Sequence, residues 1–183
     1  MNYVQEEVGL NQRDHGYNVF PEGCRSILID GKLYITGGKD VLGNSLTIVN
    51  AIDLNKGVIY SRPSMKYPHA YHTIEYLDNY ECLVVVGGKD GNNQCEIYDI
   101  FTNKWHSLPK INYPRFNTNV VYNSFAGEVY VMFGMLDNGR NSDVIEVLEL
   151  KDIKGGWIKL DYAKTALLDL QVNYCKVVQF NSE

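Results

Sequence analysis

A short phrase recurs along this chain. Residues 32–40 read KLYITGGKD, residues 82–90 read CLVVVGGKD, and residues 128–137 read EVYVMFGMLD. The glycines near the ends of these runs, Gly38, Gly88 and Gly134, stand 50 and 46 residues apart. A period of that size marks one supersecondary unit copied along the chain, and it constrains the fold more than any local propensity does. Each phrase is short, apolar and rich in Val, Ile and Tyr, which favours strands. Turn-formers separate the apolar runs at Asp30-Gly31, Asp78-Asn79 and Asn123 to Gly127, as hairpins require.

Other landmarks keep the same phase. IYDIFTNKWHSLP (97–109) places Tyr98 and Trp105 seven positions apart. AIDLNKGVIYSRP (51–63) keeps that spacing with Ile52 and Ile59, and VLELKDIKGGWIKL (147–160) carries Trp157 after a longer turn. Pro63 and Pro68 are five apart, as are Pro109 and Pro114, and each second proline follows a tyrosine, Tyr67 or Tyr113. The pattern resembles the kelch family. Its signature is a di-glycine closing the second strand, then Tyr and Trp with six residues between, then Pro-Arg with a His two further on. Gly37-Gly38 and Gly87-Gly88 match, whereas the third copy has Phe133-Gly134. Pro114-Arg115 matches the junction. Pro68-His69-Ala70-Tyr71-His72 keeps the histidine and loses the arginine.

The resemblance covers roughly residues 21–180 and implies an all-β fold, a kelch-type β-propeller of four-stranded antiparallel blades. Blade 1 is expected over 21–66, blade 2 over 67–112 and blade 3 over 113–161, with 162–183 starting a further blade. Residues 1–20 carry no kelch landmark and read as an N-terminal arm or an edge strand of a preceding blade. Strands are expected near 25–29, 32–37, 46–53 and 57–60, then 71–77, 82–87, 94–99 and 104–107, then 117–123, 128–133, 143–150 and 156–160. The stretch 171–180 reads as a strand, and Tyr162 to Leu170 is the best candidate for a helix. Glycine beside crowded inner strands allows close backbone approach. Tyr98, Trp105 and Trp157 are placed to fill the wedge between blades. Closed propellers hold about four to eight blades. This ring is therefore expected to be incomplete, to be closed by the rest of a longer chain, a second copy or another subunit.

Composition excludes several classes. The formal charge of −5 argues against a nucleic-acid or membrane-surface binder, which would carry a basic patch. No apolar run approaches the ~20 residues that span a bilayer, and MNYVQEEVGLNQ has no signal-peptide character. The cysteines Cys24, Cys82, Cys95 and Cys175 form no C-x-x-C pair, and no N-x-S/T sequon occurs. Both observations suit reduced thiols in a cytoplasmic protein.

Chemistry finds little purchase. His69-x-x-His72 could ligate a metal, but it falls where kelch junctions carry structural Arg and His, and no cysteine or carboxylate cluster accompanies it. The phrase Gly87-Gly88-Lys89-Asp90-Gly91 lacks the P-loop pattern. No catalytic, cofactor or metal residue is therefore assigned and no cofactor expected. The glycines Gly37, Gly38, Gly87, Gly88 and Gly134 and the residue Arg115 read as architecture. What remains is a surface for protein partners, formed by the loops between second and third strands and by the blade junctions. Its candidate residues are Lys39, Asp40, Asn44, Tyr71, Lys89, Asp90, Asn93, Phe116, Asn117, Asp137 and Arg140. The resemblance implies a non-catalytic interaction module, such as a scaffold, a substrate-recognition unit of a ubiquitin ligase, or a cytoskeletal or assembly subunit. Its alternative is a propeller enzyme of oxidase or mutarotase type acting on a sugar or alcohol.

Overall fold

The computed structural model describes residues 7–9, 20–90 and 92–160. Thirteen strands lie among them: β1 (Glu7–Gly9), β2 (Arg25–Ile29), β3 (Lys32–Thr36), β4 (Val49–Asp53), β5 (Val58–Arg62), β6 (Thr73–Leu77), β7 (Cys82–Val86), β8 (Cys95–Asp99), β9 (Lys104–Leu108), β10 (Asn119–Asn123), β11 (Glu128–Met132), β12 (Ile145–Glu149) and β13 (Ile158–Lys159). They form three antiparallel meanders, β2 to β5, β6 to β9 and β10 to β13. Each corresponds to one copy of the repeat. The first strands of successive blades, β2, β6 and β10, lie side by side, so they are the inner strands.

One short strand lies within the N-terminal stretch. β1 pairs antiparallel with β5, Val8 opposite Ile59, and makes blade 1 five-stranded. It extends the outer edge of blade 1 rather than forming the edge of a preceding blade. The cause is the unpaired ladder that β5 offers as an outermost strand. The helix and strand expected within 162–180 lie outside the described residues.

The core lies between blades. Strand β7 reads CLVVV because both of its faces are buried. Leu83 and Val85 pack toward blade 1 with Tyr34, Val49, Ala51 and Met65. Val84 and Val86 point the other way, toward Val120, Tyr122, Val129 and Val131 of blade 3. The seven-residue spacing of Tyr98 and Trp105 now has its reason. They are directly opposite one another across the β8–β9 ladder, with ring centroids 4.9 Å apart. Ile52 and Ile59 are opposed in the same way in blade 1. Trp105 Nε1–H donates to the Pro63 carbonyl at 2.8 Å, and Trp157 Nε1–H to the Pro109 carbonyl at 2.8 Å. Each indole thus fastens its blade to the segment that leaves the preceding one.

The glycine pairs hold the junctions. Gly37 and Gly87 are left-handed (φ 58° and 64°). A Cβ on Gly37 would stand 2.2 Å from the His69 carbonyl oxygen, and on Gly87 2.7 Å from that of Arg115. The following glycine of each pair donates to that same carbonyl, Gly38 to His69 at 2.8 Å and Gly88 to Arg115 at 3.1 Å. The equivalent of Gly37 and Gly87 in blade 3 is Phe133, also left-handed at φ 59°.

Candidate partner-binding face

Six segments meet on one face of the arc. They are the lead-in 20–24, the junctions 63–72 and 109–118, and the loop residues 37–48, 87–90 with 92–94, and 133–144. Bridges Glu22–Lys39, Leu46–His69 and Phe116–Met135 tie junctions to loops. Beneath them lies a repeated buried device. His69 and Arg115 occupy equivalent junction positions, and Glu96 and Glu146 occupy equivalent positions on β8 and β12. His69 Nε2 lies 3.1 Å from Glu96 Oε1, and Arg115 Nη2 lies 3.0 Å from Glu146 Oε2, all four side chains fully buried. Each glutamate also accepts backbone N–H groups of the crossing segment. Glu96 receives Lys66 and Tyr67 at 2.8 and 3.0 Å, and Glu146 receives Asn112 at 2.8 Å. In blade 1 both partners are replaced together, by Pro21 and Asn50.

The histidine pair is engaged in this framework. His69 Nδ1 lies 2.8 Å from the Gly87 carbonyl oxygen, and His72 Nε2 lies 2.8 Å from Thr36 Oγ1. Burial holds the His72 imidazole well below its ordinary pKa, with His69 and Arg25 adding to the effect. Among the described residues no three histidines, cysteines or carboxylates gather as a metal would need.

Above the framework, part of the expected surface forms one cluster. Tyr71 and Phe116 meet edge to face, centroids 6.3 Å apart. The Lys89 ammonium stands 5.4 Å from the Tyr71 ring centre and 6.0 Å from that of Phe116. Lys39 Nζ reaches Asp90 Oδ2 at 3.2 Å and so links the loops of blades 1 and 2. Asn117 and Tyr71 are both left-handed, at φ 49° and 54°. They join a backbone chain across the blade junctions, in which Tyr71 N–H donates to Gly23 O at 2.7 Å and Asn117 N–H to Tyr71 O at 2.8 Å.

The other expected residues lie outside this cluster. Asp40 Oδ1 accepts the N–H groups of Leu42 and Asn44 at 2.9 and 2.8 Å, and Asn44 Nδ2–H donates to Asp40 Oδ2 at 2.9 Å. These bonds, led by the Asn44 side chain, hold the Asp40 carboxyl below its ordinary range. Both side chains are spent shaping their own loop. The Asn93 carbonyl accepts from Ile111 N–H at 3.1 Å. Asp137 and Arg140 are exposed on the loop of blade 3. Two members of the cluster escaped the sequence reading. Glu22 accepts the Tyr71 hydroxyl hydrogen bond, and Arg25 donates to the Asn117 side-chain oxygen. Placing Gly23, Tyr71 and Asn117 in one repeat phase is the signal that would have found them.

Three meanders in kelch phase, fastened by di-glycine crossings and inter-blade indoles, are kelch-type propeller blades. No protein-family model matches the chain. It is 28% identical over 116 residues to a RING finger domain and kelch repeat-containing protein of Dictyostelium discoideum, covering 61% of this chain and 11% of that protein. It is 27% identical over 142 residues to kelch repeat and BTB domain-containing protein 12 of Danio rerio, covering 67% of this chain and 22% of that protein. The chain therefore spans about a tenth and a fifth of these relatives' lengths. The solved structure of YjhT superposes with a TM-score of 0.61 at 17% identity, over 77% of this chain and 52% of that one. The described residues have the fold of a partial kelch-type β-propeller. No described helix is long and apolar enough to cross a membrane.

Proposed function

We propose that this chain is a non-catalytic protein-interaction module of the cytoplasm whose partner docks on the Tyr71–Phe116–Lys89 cluster. The observation that carries this reading is the half-buried aromatic pair with an exposed ammonium above it. Rigid aromatic surface beside a positioned cation is the usual make-up of an interface hot spot. The buried His69–Glu96 and Arg115–Glu146 contacts beneath tie the crossing segments to their blades, so a partner has little ordering cost to offset. Presentation of bound proteins to a ubiquitin ligase is the finer reading. The RING and BTB domains in the relatives' names support it.

The test is site-specific photo-crosslinking in cells, with p-benzoylphenylalanine in place of Phe116 or of Ser61 on the outer strand β5. A discrete protein adduct is expected at 116 and not at 61, and it should disappear with Lys89→Glu. Equal adducts at both positions, or an adduct indifferent to Lys89→Glu, would overturn the reading.

A further inference from the structure

The hairpin turns on the opposite face of the arc also carry large apolar side chains. Phe125, at the tip of the β10–β11 turn, is fully exposed. Phe101, on the β8–β9 turn, is 87% exposed, and Tyr80, on the β6–β7 turn, is 50% exposed. The three turns are joined to one another. Asn79 Nδ2–H donates to the Ser124 carbonyl at 3.1 Å, linking blades 2 and 3. Ile100 N–H donates to the Glu81 carbonyl at 3.2 Å, linking the two turns of blade 2. The Tyr80 ring meets Tyr122 edge to face at 6.3 Å, and its hydroxyl reaches to 3.7 Å from where a Cβ on Gly127 would stand. Tyr80 therefore lies at the seam between blades 2 and 3, and the two turns bonded to its own carry the exposed Phe101 and Phe125. Soluble proteins rarely gather exposed aromatic rings without a partner to cover them.

On the inner turns of blades 1 and 2 carboxylates outnumber cations. Asp30, Asp78 and Glu81 are exposed on the adjacent inner turns of blades 1 and 2. Burial pushes the Tyr76 phenol upward, and the charges of Asp30, Glu81 and Asp78 add to that effect. Lys32, at the foot of the blade 1 turn, is half-buried, and the exposed Lys104 stands opposite Asp99 at the foot of the Phe101 turn. A partner must therefore bring apolar groups to the rings and positive charge to the carboxylates.

We infer that this opposite face is a second docking surface, and that it takes a basic peptide segment carrying aromatic or aliphatic anchors. Tyr80, Phe101 and Phe125 receive the anchors, and Asp30, Asp78 and Glu81 receive Lys or Arg. The surface is independent of the Tyr71 cluster, so the chain could bridge two proteins.

The test uses the full chain and phage-displayed random dodecapeptides, with Phe101→Ser/Phe125→Ser as the depletion target. These side chains are exposed, so the variant keeps its fold, which circular dichroism verifies. Enriched peptides are expected to be net basic with at least two apolar residues. The strongest of them, made synthetically, should lose about tenfold or more in affinity on the double variant. It should lose several-fold on Asp78→Asn/Glu81→Gln, with a weaker dependence on salt. Phe116→Ala should leave its binding unchanged. Failure to enrich, enrichment of neutral or acidic peptides, or sensitivity to Phe116→Ala in place of the double variant would overturn the inference.

Discussion

Arg115 and Glu146 form a fully buried ion pair, 3.0 Å from Nη2 to Oε2, between the segment that enters blade 3 and that blade's third strand. Arg115 Nη2–H also donates to the Val131 carbonyl at 3.1 Å, while its Nε and Nη1 have no protein partner. Removing one charge strands the other in the interior, at a cost of about 3–5 kcal/mol. Arg115→Met and Glu146→Leu should each show that loss in urea denaturation. The double variant should lose less than the two singles combined, because no lone charge is left behind. Additive losses would show that the pair is not coupled.

The indoles offer a second check on how blades are joined. Trp105→Phe removes the bond to the Pro63 carbonyl and some packing against Tyr98. A loss of about 1–2 kcal/mol follows from one buried hydrogen bond and a reduced aromatic contact. Trp157→Phe should cost a similar amount through Pro109. Equilibrium unfolding of both variants beside wild type gives the numbers. A Trp105→Phe protein as stable as wild type would mean the indole bond contributes nothing net.

Two glycines separate steric conflict from backbone strain. Gly87 and Gly139 are both left-handed, at φ 64° and 79°. A Cβ on Gly87 would stand 2.7 Å from the Arg115 carbonyl oxygen, whereas one on Gly139 meets nothing within 4 Å. Gly139→Ala should cost about 1 kcal/mol, the strain of that conformation alone. Gly87→Ala should cost clearly more, because the junction backbone must move. Thermal melts of the two variants measure the difference directly, and equal shifts would contradict the crossing geometry.

Acid should weaken the interface between blades 1 and 2 through His72. The folded protein holds this imidazole well below its ordinary value of 6.5, because it is buried beside His69 and Arg25. The unfolded chain therefore takes up the proton first as pH falls. Stability from this group is complete above about pH 7 and declines as pH drops through the unfolded value of about 6.5. His72→Gln should lower stability at pH 7.5, through its bond to Thr36, and flatten the slope between about pH 6.5 and 5. A slope unchanged by the substitution would assign the acid response to another group.

Burial also sets the thiols apart. Burial pushes the Cys95 thiol up to about 12, and burial with the nearby Asp99 and Glu81 carboxylates pushes Cys82 up to about 11. Since the thiolate is the reactive form, both should resist iodoacetamide at pH 8 in the native state and react on unfolding. Peptide-resolved mass spectrometry checks each site separately.

Strand positions were legible because they are local. The repeats 32–36, 82–86 and 128–132 became β3, β7 and β11, and the expected hairpins closed with positive φ at Asp30 and Gly31, at Glu81 and at Gly127. The repeat also carried the phase of Tyr98 and Trp105, since seven positions across a hairpin place two residues opposite one another. The glutamates were equally periodic, Glu96 and Glu146 standing 50 apart, yet nothing local announces that a carboxylate on a strand will be buried. Their meaning comes from His69 and Arg115, which reach them only when the junction crosses the blade. The candidate face divided for the same reason. Tyr71, Lys89 and Phe116 gather because adjacent blades bring their loops together, while Asp40 and Asn44 turn inward on their own loop. Local chain chemistry thus determined the strands, the turns and the blade period. Pairing across blades decided which charges are buried and which side chains meet, because those contacts join residues tens of positions apart and exist only once the blades are packed.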